Sequence, residues 1–202
     1  DTGVTGFVHG SFLSVTGSSA SLGQAGNLDD SSFNGGIGSA LPGSAGGGNP
    51  PGAGQEPKGK TGFIQLKASG AGYYTYYNAN AKWGEPRLIY AIMRVGKRLA
   101  AGNLPRLGVG DISLKDGGKI SGHASHQRGV DVDCRLMYAD RTEHAGTIDD
   151  RTYSSAWTTT AIRLFREEIK VTHVFFNDKS TIRAGLSTAL AHHSNHFHVR
   201  VQ

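Results

Sequence analysis

The sequence predicts an α+β domain, a small antiparallel or mixed sheet packed with helices, preceded by a glycine-rich segment. Three observations predict it. Apolar residues recur at helical spacing in EPRLIYAIMRVGKRLAAGN (85–103) and again from Ser155 to Ile169. Strand-like pieces, VDVDCRL (130–136), VTHVFF (171–176) and HFHVRV (196–201), are interspersed with them, and such mixed order argues for α+β. The first 57 residues hold 15 of the 30 glycines and no Lys or Arg.

Taken in order, residues 1–59 bury too little apolar area to offset their conformational entropy, so a flexible Gly/Ser-rich segment is expected there, with SALPGSAGGGNPPGAGQEPKG (39–59) as its linker. Within it only FVHGSFLSV (7–15) has strand character. A working domain over 60–202 follows. GFIQLKASGAGYYTYYNAN (62–80) suggests short strands, its tyrosines fitting core or half-buried positions better than a substrate groove. In the first helix Pro86 suits the first helical position, Leu88, Ile92, Val95 and Leu99 share one face, and Gly102 marks the stop. The second helix, 155–169, puts Trp157, Ala161, Leu164, Phe165 and Ile169 on one face. A third, shorter helix is expected from Thr181 to Ala191.

All 21 basic but only 12 of the 16 acidic residues lie in 58–202, giving that region a formal charge of +9. Such a surface suits nucleic acid, anionic lipid or an anionic wall polymer, and charge does not choose among them. The single cysteine, Cys134, rules out an intramolecular disulfide, and no apolar run approaches the 18 residues a transmembrane helix needs. The start at Asp1 rather than Met leads us to expect a processed product.

Four of the nine histidines crowd into AHHSNHFHVRV (191–201), and two more lie in GHASHQRGVDVD (122–133). Side chains alternate faces along a strand, so His196, His198 and Arg200 share one face of HFHVRV, opposite Phe197, Val199 and Val201. The same rule groups Asp131, Asp133 and Arg135, opposite Val130, Val132 and Cys134. Each strand thus has one apolar face and one of ligand or charged groups. Zinc takes imidazole and carboxylate ligands, three from the protein at a catalytic site. The candidates are His123, His126, Asp131 or Asp133, His193, His196 and His198, and spacing does not pick three. There is no HExxH, CxxC or GxSxG, and Cys134, on the apolar face, is expected to be buried and inert.

SGHASHQRGVDVD with the terminal HFH resembles the penicillin-insensitive murein endopeptidases, zinc peptidases grouped with D-Ala-D-Ala carboxypeptidases and the Hedgehog N-domain. Their pattern is a His, six residues, an Asp and a later His-x-His. WGEPRLIYAI, GVGDIS and VFFND extend the resemblance over roughly residues 70–202. It implies a Hedgehog/DD-peptidase-like fold and one catalytic Zn2+ on His126, Asp133 and His198. It also implies that His196 lies beside the metal-bound water, where its ordinary pKa of about 6.5 suits a general base. His123 and His193 would hold substrate or stabilise the oxyanion; the chain has His192-His193 where that family tends to have Gly-His, so either of that pair could take the auxiliary role given to His193. Asp131 and Arg135 are supporting or substrate-binding candidates. The implied substrate is the peptidoglycan cross-link between D-Ala and meso-diaminopimelate, with no nucleic-acid partner, in the periplasm or at the extracellular wall. A zinc D,D-carboxypeptidase, an L-Ala-D-Glu endopeptidase, and a non-catalytic zinc-containing module that binds wall or nucleic acid are the rivals. Oligomeric state is not expressed in the sequence.

Overall fold

The computed structural model describes residues 61–202, so the segment expected over 1–59, with its linker and the FVHGSFLSV stretch, lies outside the described residues. The strands are β1 (Ile64–Gln65), β2 (Ser69–Gly70), β3 (Tyr73–Thr75), β4 (Trp83–Gly84), β5 (Leu107–Val109), β6 (Asp131–Arg135), β7 (Val171–Phe175) and β8 (His196–Val201). The helices are α1 (Pro86–Ala101), α2 (Ser155–Glu168) and α3 (Lys179–Arg183). β1 and β4 form a small antiparallel pair. The other six make a mixed sheet in the order β2-β3-β5-β6-β8-β7, with β3 and β5 parallel and the remaining neighbours antiparallel. The α+β expectation holds.

Each helix owes its ends to local chemistry. Pro86 occupies the first turn of α1, where a missing N–H costs nothing, and Gly102 caps its other end. Ser154 and Asp178 cap α2 and α3, their side chains accepting from Trp157 and from Ser180 and Thr181. Mid-helix Gly96 has a packing reason: a Cβ there would sit 2.7 Å from the Ala71 carbonyl, so α1 lies backbone to backbone on the β2–β3 turn. No helix among the described residues is long and apolar enough to cross a membrane.

Two expectations change. The third helix begins earlier and is shorter than 181–191: Gly185, at φ +67°, turns the chain away after Ala184, and Thr188 instead bridges to Phe175. The tyrosines divide: Tyr73 is core, Tyr74 and Tyr76 are half-buried, and Tyr77 is 83% exposed at a left-handed φ of +62°.

The core gathers Leu88, Ile92, Val95 and Leu99 of α1, Ile162 and Phe165 of α2, and the apolar faces of the central strands, Val132 and Cys134 of β6 with Phe197, Val199 and Val201 of β8. Phe197 meets Phe165 and Phe176 edge to face, each 6.3 Å away between ring centroids. The opposite face of the same two strands remains for chemistry.

Candidate metal centre and cleft

The register of β6 against β8 sets the site. Asp131 lies opposite Arg200, Asp133 opposite His198 and Arg135 opposite His196, while Val132–Val199 and Cys134–Phe197 face the core. Period two therefore delivers three polar pairs to one face and two apolar pairs to the other. Cys134 is fully buried, and burial pushes its thiol pKa well up, which makes it a packing residue.

His126 arrives from the loop before β6, its backbone held at φ +63°, an uncommon conformation for a residue with a side chain and one that the surrounding structure must enforce. Its main-chain N–H points to Asp131 Oδ2 at 3.3 Å. Its ring is buried, Nδ1 lying 3.2 Å from the Ile112 carbonyl, and because a carbonyl only accepts, Nδ1 carries the proton. Nε2 is then a bare lone pair. His198 follows the same logic: Nε2 lies 3.0 Å from Asp131 Oδ1, itself held by Arg200 Nε at 2.6 Å, so Nε2–H donates and Nδ1 is bare. The bare atoms converge. His198 Nδ1 is 2.9 Å from Asp133 Oδ1 and 3.1 Å from His126 Nε2, which is 3.2 Å from the same carboxylate oxygen.

Three lone-pair donors so close, one of them anionic, repel one another unless a proton or a cation lies among them. Donors of a tetrahedral ion bound at about 2.0–2.2 Å stand roughly 3.3–3.6 Å apart, so only a slight relaxation separates this triangle from a zinc shell. The N, N, O donor set, with both second ring nitrogens oriented by a carbonyl or a carboxylate, fits that ion. Burial works against the Asp131 carboxylate, but hydrogen bonds from His198 and Arg200 hold its pKa at about 2. Burial works against the Asp133 carboxylate too, but His126 and His198 hold it well below the usual carboxylate range. Burial would depress His198, but its two carboxylate partners outweigh it and raise its pKa to about 8.

Around this triangle stand the other histidines. His196 Nε2 is 3.7 Å from Asp133 Oδ1, and its Nδ1 lies 2.7 Å from Asn195 Oδ1. Burial pulls its pKa down to about 4 against the pull of Asp133, so the ring is neutral near pH 7. His193 packs 4.7 Å from the His196 ring and 6.0 Å from His198, with Nδ1 on the Ala191 carbonyl at 2.8 Å. His192 is exposed, with φ +66°; of the adjacent pair, His193 is the one beside the centre. His123 lies edge-on to His126, 4.9 Å between centroids, with Nε2 3.4 Å from Asp111 Oδ2. His123, His126 and Asp133 also bring donor atoms within 4.8 Å of one another, a second, looser grouping that shares two members with the first.

These groups adjoin a cleft of about 540 Å³ whose lining includes His123, Asp111, Asp133, Arg135 and His196, together with Tyr76 and Tyr77. Asp111 and Lys82 escaped the sequence reading. Lys82 is buried, with Nζ 2.6 Å from the Gly110 carbonyl and 3.4 Å from Asp111 Oδ1; burial lowers its pKa against the pull of Asp111. The pair holds Asp111 against His123. Its only traces in the sequence are the Asp that ends GVGD and a Lys beside Trp83, neither of which announces a buried ion pair.

An open sheet whose polar face gathers histidines and aspartates beside a cleft has the form of a candidate metal site. The model of the penicillin-insensitive murein endopeptidase family matches residues 54–185, and the chain belongs to that family. The match takes in His123, His126 and Asp133 and stops before His196 and His198, which β8 brings to the same site. A penicillin-insensitive murein endopeptidase of Haemophilus influenzae is 31% identical over 165 residues, covering 67% of this chain. The aligned part spans 57% of that relative's length.

Proposed function

We propose that the chain is a zinc-dependent endopeptidase of peptidoglycan that cuts the cross-link between D-Ala and meso-diaminopimelate, acting in the periplasm or at the extracellular wall. The observation that carries this reading is the triangle of His126 Nε2, Asp133 Oδ1 and His198 Nδ1, 2.9–3.2 Å on a side. These three would hold one zinc ion. His198 is preferred to His123 because its ring is buried and its second nitrogen is oriented by Asp131, whereas His123 faces the cleft beside Asp111. When bound, zinc supplies Lewis acidity, lowering the pKa of water toward ~7 and polarising a scissile carbonyl.

The remaining work falls to the chain's own groups. His196, neutral near pH 7 and with Nε2 facing the centre, takes the proton from the attacking water and returns it to the leaving amine. His123 and His193 would hold substrate or stabilise the oxyanion, a role in which a donor aimed at the developing charge contributes several kcal/mol; with the Nδ1–H of His193 given to the Ala191 carbonyl, its Nε2 donates there only from the doubly protonated ring. No serine is acylated in this scheme, so a β-lactam has no nucleophile to trap. The basic domain suits a polymer rich in carboxylates.

Digestion of purified cross-linked muropeptides by the zinc-loaded chain tests the reading. Conversion of dimers to monomers without free D-Ala is the expected result. Release of D-Ala would make the chain a carboxypeptidase, cleavage between L-Ala and D-Glu would move the scissile bond, and binding without products would make it a non-catalytic module.

A further inference from the structure

Arg135 stands where a substrate-binding cation would. It follows Asp133 by two residues on β6, on the same face, and lies directly across the ladder from His196. Its guanidinium carbon lies over the Tyr76 ring, 4.0 Å from the centroid, and its Nη1 donates to the Glu143 main-chain oxygen at 2.8 Å. Two glycines make this possible. A Cβ on Gly108 would collide with the Tyr74 hydroxyl and press on Arg135 Cβ, and one on Gly110 would collide with the Tyr76 hydroxyl. With both absent, the two tyrosines lie across β5 and buttress the arginine.

The charge of Arg135 is not spent on an ion pair. Among the described residues no carboxylate pairs with it: that of Glu143 is taken by Arg106 through Nε at 2.7 Å and Nη2 at 2.8 Å, and Asp133 faces the two ligand histidines. A half-buried guanidinium, fixed by an aromatic face, the Tyr74 hydroxyl and one carbonyl and lining the cleft, is built to meet a planar anion.

We infer that Arg135 reads the free carboxylate on the residue that leaves as the amine. The inference rests on the proposed endopeptidase reading, and the ladder supplies the side of the bond: His196 returns its proton to the leaving nitrogen, and Arg135 is its cross-strand neighbour. The carbon bearing that nitrogen carries a free carboxylate in a D-Ala to meso-diaminopimelate cross-link. Arg135 is thus a specificity-determining residue.

The test uses the zinc-loaded full chain and a cross-linked muropeptide dimer, beside the same dimer with that one carboxyl converted to the carboxamide. The expected result is a kcat/KM about 10- to 100-fold higher for the acid, the worth of a charge-assisted pair, carried mainly by KM. In Arg135→Gln the acid-to-amide ratio falls to about one, and Arg135→Lys, which keeps the charge without the fork, lies between. Equal cleavage of both dimers by the wild type overturns the inference, as does an Arg135→Gln loss that is the same for acid and amide. Calorimetric binding of the amine-side product and its carboxamide, neither of which can be cleaved, separates the two claims. If acid is bound over amide through Arg135 while the dimer stays intact, the carboxylate site stands and the endopeptidase reading falls. Cleavage of the dimer with no such preference in either assay does the reverse.

Discussion

The two faces of the β6–β8 pair are made by the same residues in alternation, yet they are held together by different physics. On the core face Val132, Cys134, Phe197 and Val199 are fully buried, and their contribution is area removed from water and close packing. On the other face Asp131, Asp133 and His198 are almost as buried, and they are stable there only because each polar atom has a partner or a place for a cation. One register fixes both. A one-residue slip would send the histidines and aspartates into the core and the phenylalanine into the cleft.

Substitutions that take one face at a time break the comparison most sharply. On the site face His198→Ala should lower kcat/KM by at least about 10³-fold and abolish tight zinc binding, measured by turnover and metal content. His196→Ala should lower kcat by roughly 10²–10⁴-fold with zinc retained; retained hydrolysis would remove His196 from its assigned role. On the core face Phe197→Ala should cost about 3–5 kcal/mol in denaturant unfolding, while activity per folded molecule stays near wild type. A smaller effect is expected from Asp131→Asn, which leaves the ligands in place but loosens the orientation of His198, weakening zinc about 10- to 100-fold in competition titration.

The pH dependence of the zinc-free protein sharpens the same contrast. His198, raised to about 8, contributes stability that is fully present below its unfolded value of about 6.5 and is lost as pH rises through 8. His196, lowered to about 4, resists a proton that the unfolded chain accepts, so stability falls as pH drops from about 6.5 through 4. Thermal unfolding of the zinc-free chain should therefore show its highest Tm near pH 6.5. With zinc present, the loss toward pH 8 should disappear, because the metal takes the place of the proton on His198.

What the sequence made legible follows from these two faces. HFHVRV and VDVDC carry period two in an unbroken form, so the apolar and the polar face of each strand could be assigned from alternation, and the α1 and α2 stripes were as plain. β5 was missed because three residues, Leu107, Gly108 and Val109, give no period to read; its glycines make sense only once Tyr74 and Tyr76 are seen lying across it. Alternation alone did not choose between Asp131 and Asp133, since both share one face, and only the family resemblance pointed to Asp133; cross-strand pairing puts Asp133 among the nitrogens and Asp131 behind His198. The Lys82–Asp111 pair joins residues 29 apart, a proximity that only the fold creates.

The central claim is that His126, Asp133 and His198, and not His123, hold the ion. Anomalous diffraction at the zinc absorption edge from crystals of the zinc-loaded chain tests it most directly. One peak is expected about 2.0–2.2 Å from His126 Nε2, Asp133 Oδ1 and His198 Nδ1, with His123 outside bonding distance. A peak bonded to His123 with His198 still hydrogen-bonded to Asp133, or no peak at all, would contradict it.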